Sequence, residues 1–379
     1  MEQPATRLEG KGSAGARSLW KGSAERAEQL QFLRFLAFCL IFLWHADMWR
    51  LSFSSGGYGA ANAVAFFFVL SGVATGYSRF DREVALTPGA IVGYVVGKIK
   101  KAYPLYIFTM LFAVVYSKIP RLVNEGDFPE LKSRLLLLLR NALMIQSWFP
   151  SDYFSFNGVG WFISTMMFLY ILTLPLLSLA WRIKRSRRPA LGYCVGVGLL
   201  SMAAVAYCYA LRNTQMEYTQ YVLPVARIWE YGIGICLGCL VRLVRRRFSE
   251  FRLSRALLFT VIELATLALW IAAPYDTHFP AWHLRIVHWL LPNGLLLLTF
   301  AIGEGFLSAL FRARPLVALG NLSFECFLLH QVVLSVYQKC YRIKEPGTVG
   351  IVFNLALCML LTLMASRLIH AAGPGARKS

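Results

Sequence analysis

Charge is scarce in this chain. Of its 379 residues, 15% are Asp, Glu, Lys or Arg, whereas a soluble domain carries about 25%. Acids are scarcer still: 19 Asp and Glu stand against 39 Lys and Arg, for a net charge of +20. So few charges exclude an ordinary water-soluble globule of this length. The first 30 residues lack the apolar core of a secretory signal peptide and read as a polar, disordered cytoplasmic tail. Metal-ligand patterns are missing too. Cys236 and Cys239 are three apart in an apolar run with no second pair nearby, and a structural site needs four ligands. His278, His283 and His288 recur every five residues, a rotation of ~140° on a helix, so they share no face. No metal is expected.

What the chain does have is apolar length. Hydrophobic residues make up 57% of it, and they come in blocks of about 20, enough to span ~30 Å of hydrocarbon. Ten such blocks run roughly over 32–49, 60–78, 99–117, 158–181, 190–211, 225–243, 255–273, 285–303, 317–339 and 348–369. Leu135–Met144 is apolar but only ten residues long and interrupted by Arg140. It reads as a re-entrant or interfacial helix, or as a loop folded over the bundle. The expected fold is therefore all-α: a polytopic bundle of about ten transmembrane helices with one short non-spanning apolar helix. It occupies 31–370, with a second cytoplasmic tail at 371–379.

The basic residues set the orientation, because short cytoplasmic loops collect Lys and Arg. "WRIKRSRRP" after the fourth span holds five basic residues and no acid, and "VRLVRRRFSEFRLSR" follows the sixth. Arg312 and Arg314 follow the eighth, and "GKIKKAYP" leads into the third. These segments share one side only if Leu135–Met144 does not cross, which puts both termini in the cytoplasm. The high net charge is then an orientation signal, and a nucleic-acid partner is not needed to explain it.

Ionisable residues inside spans are functional candidates by default, since burying one costs ~2.5–3.5 kcal/mol or more. Arg34 and His45 are 11 residues apart in "LRFLAFCLIFLWHADMW". That is three turns plus ~20°, and ~16 Å of rise, so they share a face. Taken singly, Arg34 could snorkel to the headgroups and His45 could rest at the interface beside Trp44 and Trp49; together they suggest a polar track. Lys98 and Lys101 share a face at the start of the third span. Orientation bias or a phosphate-binding patch would each explain them. Three glycine pairs at i, i+4 fit close helix contact: Gly93/Gly97, Gly192/Gly196 and Gly234/Gly238.

These residues bring a family into view. From about 30 to 370 the chain resembles the acyltransferase-3 family of integral-membrane acyltransferases. The resemblance rests on five motifs in order: Arg34 and His45 in the first span, "FFFVLSG" at 66–72, Lys98 and Lys101 before "YPLY" at 103–106, "GWFIS" at 160–164, and "LGNLSFECFLLH" at 319–330. The basic pair is lysine here where the family usually has arginine, which removes the bidentate phosphate grip. Glu325 stands where many members have a small polar residue.

The resemblance implies transfer of an acyl group, most often acetyl, from cytoplasmic acyl-CoA to a hydroxyl of a glycan or lipid-linked sugar. The acceptor would be an exopolysaccharide or cell-envelope glycan, and the setting a bacterial-type inner membrane. Acetyl-CoA, as donor substrate, would rest its phosphates on Lys98, Lys101 and Arg34, with His45 as general base. Trp161 and Ser164 would either line the thioester site or pack in the core. Arg227 and Glu230, three apart in "RIWEYG", would form an ion pair inside the bundle or meet the acceptor. His330 would be either a second polar wall or an interfacial residue. The rival readings are a transporter or flippase of lipid-linked sugars, which calls for repeats with paired broken helices, and a glycan polymerase with a large outer loop. The sequence displays neither repeat nor loop.

Overall fold

Apolar runs leave the backbone few ways to satisfy its N–H and C=O groups in lipid, and the helix is the local one. Helices dominate the computed structural model, which describes residues 27–48, 57–115, 128–246, 252–275, 287–341 and 347–372. The α-helices in order are α1 Gln29–Met48, α2 Gly57–Arg79, α3 Pro88–Val115, α4 Phe128–Ala142, α5 Gly160–Lys184, α6 Pro189–Ala210, α7 Ile228–Arg245, α8 Leu253–Ala272, α9 Val287–Ile302, α10 Phe306–Phe311, α11 Arg314–Asn321, α12 Ser323–Tyr341 and α13 Thr348–Ala372. No strand occurs among the described residues.

A helix lies on each of the ten expected spans, yet the count of ten is not established. Seven described helices are long and apolar enough to cross by themselves, and an eighth span arises if α11 and α12, bent by 57° at their junction, count as one. The shortfall has local causes. α3 carries Lys98, Lys100 and Lys101 near its middle, and α9 has only 16 residues. The expected tail at 1–30 lies outside the described residues up to 26, and α1 already begins at Gln29. Of 371–379, Ala371 and Ala372 extend α13 and the rest lie outside. His278 and His283 also lie outside.

α2 and α7 are the most buried of the candidate spans, and α6, α8 and α13 the least. The α2–α7 interface is built on glycine. A Cβ on Gly234 would lie 2.9 Å from Gly72 Cα, and one on Gly72 would lie 2.8 Å from Gly234 Cα. Gly76 meets Ile235 backbone and Gly238 meets Val73 backbone in the same way. Gly93 and Gly97, with the same spacing, have nothing within 4 Å. Some polar side chains in the spans bond back to their own helix: Ser71 Oγ donates to Phe67 O at 2.8 Å and Thr173 Oγ1 to Leu169 O at 3.0 Å.

α4 has 15 residues, about 22 Å at ~1.5 Å per residue, which is short of the hydrocarbon thickness. Its C-terminal carbonyls, orphans of any helix end, are taken by the tyrosines of "YPLY". Tyr103 Oη donates to Ala142 O at 3.1 Å and Tyr106 Oη to Asn141 O at 2.8 Å. The chain then returns through 143–159 to α5. Ser151 and Ser186 are both exposed, one on this return and one after α5. Single cysteines at these positions, in a background without the native cysteines, are expected to react with an impermeant thiol reagent from opposite sides of the membrane. Labelling from the same side would mean that α4 crosses.

Candidate functional site

His45 and His330 meet. His45 Nδ1 lies 3.1 Å from His330 Nε2 and 2.9 Å from Ile41 O, and His330 Nδ1 lies 3.2 Å from Cys326 O. A carbonyl only accepts, so each Nδ1 carries a proton. In a neutral His330 ring Nε2 is then the lone pair, and the His45 N–H is shared between it and Ile41 O. This assignment leaves His45 Nε2 unprotonated, with no hydrogen-bond partner among the described residues. His330 is fully buried, and Phe38, Phe42 and Phe327 surround it with ring centroids 5.6, 6.4 and 6.1 Å away. An apolar wall of this kind leaves each ring nitrogen few alternative partners, so the tautomers are held.

Arg34 and His45 both turn toward α12. Arg34 lies within electrostatic range of Glu325 on α12 and Tyr170 on α5, and its Nη1 donates to Gln31 Oε1 at 2.8 Å. Glu325 Oε1 meets His370 Nδ1 at 2.8 Å, while its Oε2 is buried with no hydrogen-bond partner among the described residues. Lys98 Nζ stands 5.3 Å from the Tyr94 ring and 5.2 Å from the Tyr170 ring, in cation–π geometry. The half-buried Lys98 thus joins the Arg34 cluster through Tyr170, whereas Lys101 is exposed. The order along α1 is a cationic and aromatic end, then phenylalanine, then the histidine pair.

Arg227 and Glu230 are both fully buried. Arg227 Nη1 donates to Glu230 Oε1 at 2.7 Å and Oε2 at 2.8 Å, and Nε donates to Tyr221 O at 2.7 Å. The guanidinium carbon lies 4.9, 5.8 and 4.6 Å from the Phe68, Trp161 and Tyr221 rings. Breaking such a pair would strand a buried charge at a cost of about 3–5 kcal/mol. Ser164 and Trp161 hold the segment after α4: Ser164 Oγ accepts from Ser147 N at 3.3 Å, and Ser147 Oγ donates to Trp161 O at 2.8 Å. Among the described residues, neither makes a hydrogen bond or ring contact with the histidine pair. Asn157 Nδ2 donates to Leu328 O at 3.0 Å, which seats the same segment against α12 beside His330.

Sequence reasoning missed Tyr94, Tyr170 and His370. Tyr94 was within reach, because it precedes Lys98 by four residues and so shares its face. Tyr170 and His370 come from other helices, and no spacing within one helix points to them. A model described as an acyltransferase domain, that of the acyltransferase-3 family, matches residues 28–367. Neither the curated proteins nor the solved structures contain a match to the chain.

Proposed function

The chain belongs to the acyltransferase-3 family, an integral-membrane acyltransferase by that membership and by its apolar helices, and on that footing we propose the reaction. It moves a short acyl group, acetyl by preference, from cytoplasmic acyl-CoA to a hydroxyl of an exopolysaccharide, cell-envelope glycan or lipid-linked sugar. The bilayer is the inner membrane, with both termini cytoplasmic.

The observation that carries this reading is His45 Nε2, left without a hydrogen-bond partner among the described residues. The acceptor hydroxyl gives its proton to that nitrogen while its oxygen attacks the thioester carbonyl. The carbon–sulfur bond breaks, and the thiolate of coenzyme A leaves, taking the proton from the His45 imidazolium. During the step the His45 Nδ1–H keeps donating to Ile41 O and His330 Nε2, so His330 orients the base without touching the proton in flight. Arg34, Lys98 and Tyr170 form the charged end of the track, suited to the donor's phosphates, and Glu325 and His330 border it on α12. Trp161, Ser164, Arg227 and Glu230 support the wall from behind. The transporter reading draws on the bent α11–α12 pair, but it calls for a matching break in another half, and the described residues hold one such pair.

Binding of radiolabelled acetyl-CoA to the purified protein, followed by transfer of label to a glycan acceptor, tests the proposal. Lys98→Ala is expected to weaken donor binding about tenfold, the loss of one charge-assisted contact. Lys101→Ala is expected to weaken it less, because that side chain is exposed. Full affinity in the Lys98→Ala/Lys101→Ala double variant would return both residues to orientation alone, and a wild-type protein that binds no acetyl-CoA would end the donor reading.

A further inference from the structure

A cavity opens beside the cationic end of the track. It has a volume of about 260 Å³, and its lining includes Arg79, Glu83, Val84, Ala90, Tyr94 and Leu174. These come from the end of α2, the 80–87 connection, the start of α3 and the middle of α5. Ligand pockets for drug-sized molecules run about 300–1,000 Å³, so this space suits one end of a long molecule.

The charges around it are divided unevenly. Asp81 is taken by Lys184 Nζ at 3.0 Å, Arg246 Nη2 at 2.8 Å and Arg242 Nη2 at 3.6 Å. Desolvation alone would raise its carboxyl, but the hydrogen bonds and Coulombic pull of Lys184 and Arg246 outweigh it and hold the carboxyl below the usual range. Arg79, two residues earlier, makes no ion pair among the described residues. Its guanidinium carbon lies 5.6 Å from the Tyr94 ring, which also carries Lys98 at 5.3 Å. Two cations on one ring, neither in an ion pair among the described residues, make a place for an anion. Glu83 adds a carboxylate that can accept from an amine. The chemistry is that of a phosphorylated adenosine: a phosphate for Arg79, an exocyclic amine for Glu83, an aromatic wall at Tyr94.

We propose that the Arg79–Tyr94 cavity seats the 3′-phosphorylated adenosine end of a coenzyme A donor. The proposal rests on the acyl-CoA reading above and adds a site to it. The order of groups agrees along the bundle. The cavity lies at the end held by the Asp81 clasp. Lys98 is one turn deeper on α3 than Tyr94, the Arg34 cluster adjoins it through Tyr170, and the histidine pair is at the far end of α1. A coenzyme A thioester presents adenosine, diphosphate, pantetheine and acyl group in that sequence.

The experiment measures affinities of the full-length protein, purified in membrane-mimetic particles, for acetyl-CoA, acetyl-3′-dephospho-CoA and acetyl-pantetheine. Wild type is expected to favour acetyl-CoA over the dephospho form about tenfold. Arg79→Ala should abolish that preference and leave acetyl-pantetheine affinity unchanged, which also reports that the variant is folded. Arg79→Lys should keep part of the preference, and adenosine 3′,5′-bisphosphate should compete with acetyl-CoA on wild type. Equal wild-type affinity for the two nucleotide thioesters would overturn the phosphate seat while leaving the donor reading intact. So would a preference that survives Arg79→Ala. Failure of wild type to bind any of the three would overturn both.

Discussion

Replacing His45 by alanine is expected to lower acyl transfer at least about a hundredfold, with expression and acyl-CoA binding near wild type. A positioned general base contributes roughly 10²–10⁴-fold, and His45 Nε2 is the nitrogen of the pair left with a lone pair and no partner among the described residues. The measurement is transfer of radiolabelled acetyl to a glycan acceptor at saturating donor. A variant that keeps more than about a tenth of wild-type turnover removes the role. His330→Ala is expected to fall between that variant and wild type. The carbonyl of Ile41 still accepts the Nδ1–H of His45, so the tautomer survives without its second partner. The loss should appear in kcat, with donor affinity little changed.

The largest structural effect is expected at Gly234. Gly234→Leu should abolish the monodisperse folded protein, whereas Gly93→Leu should leave it unchanged. Ordinary overpacking in a core costs about 1–3 kcal/mol, because side chains can shift. At Gly234 the new atoms would meet the Val69 carbonyl and Gly72 Cα, which can move only if α2 and α7 separate. Size-exclusion profiles and thermal melts in detergent give the comparison. Equal behaviour of the two variants would mean that the close approach of α2 and α7 contributes nothing to assembly.

The two glycine pairs also show where sequence reading loses its footing. Gly93/Gly97 and Gly234/Gly238 have the same spacing, and spacing alone cannot say which helix has a neighbour. The basic pair behaves alike. Lys98 and Lys101 are neighbours on one helical surface, yet Lys98 is half-buried against Tyr94 and Tyr170 while Lys101 is exposed. One of the ten expected spans is left open for a different reason. The expected block at 317–339 is long enough to cross, but the helix breaks at Leu322 and bends by 57°. Composition registers the apolar length and is blind to the bend. Arg227 and Glu230 were more legible, because three residues of separation brings two side chains together at a helix start without help from any other element.

By itself the sequence determined the class of molecule: a helical membrane protein of the acyltransferase-3 family, with Arg34 and His45 on one face of its first span. The membrane class and the shared face depend on composition and on the 3.6-residue period, and the family on the resemblance of five short motifs, all of which are local. Tertiary structure alone decided that His330 would lie against His45, that Glu325 would meet His370 and that Lys98 would rest on Tyr170. These pairs are separated by 285, 45 and 72 positions in the chain. Within the apolar core lipid and helix surfaces are alike in hydrophobicity, so which helices touch is settled by close packing and by the few polar contacts they can complete.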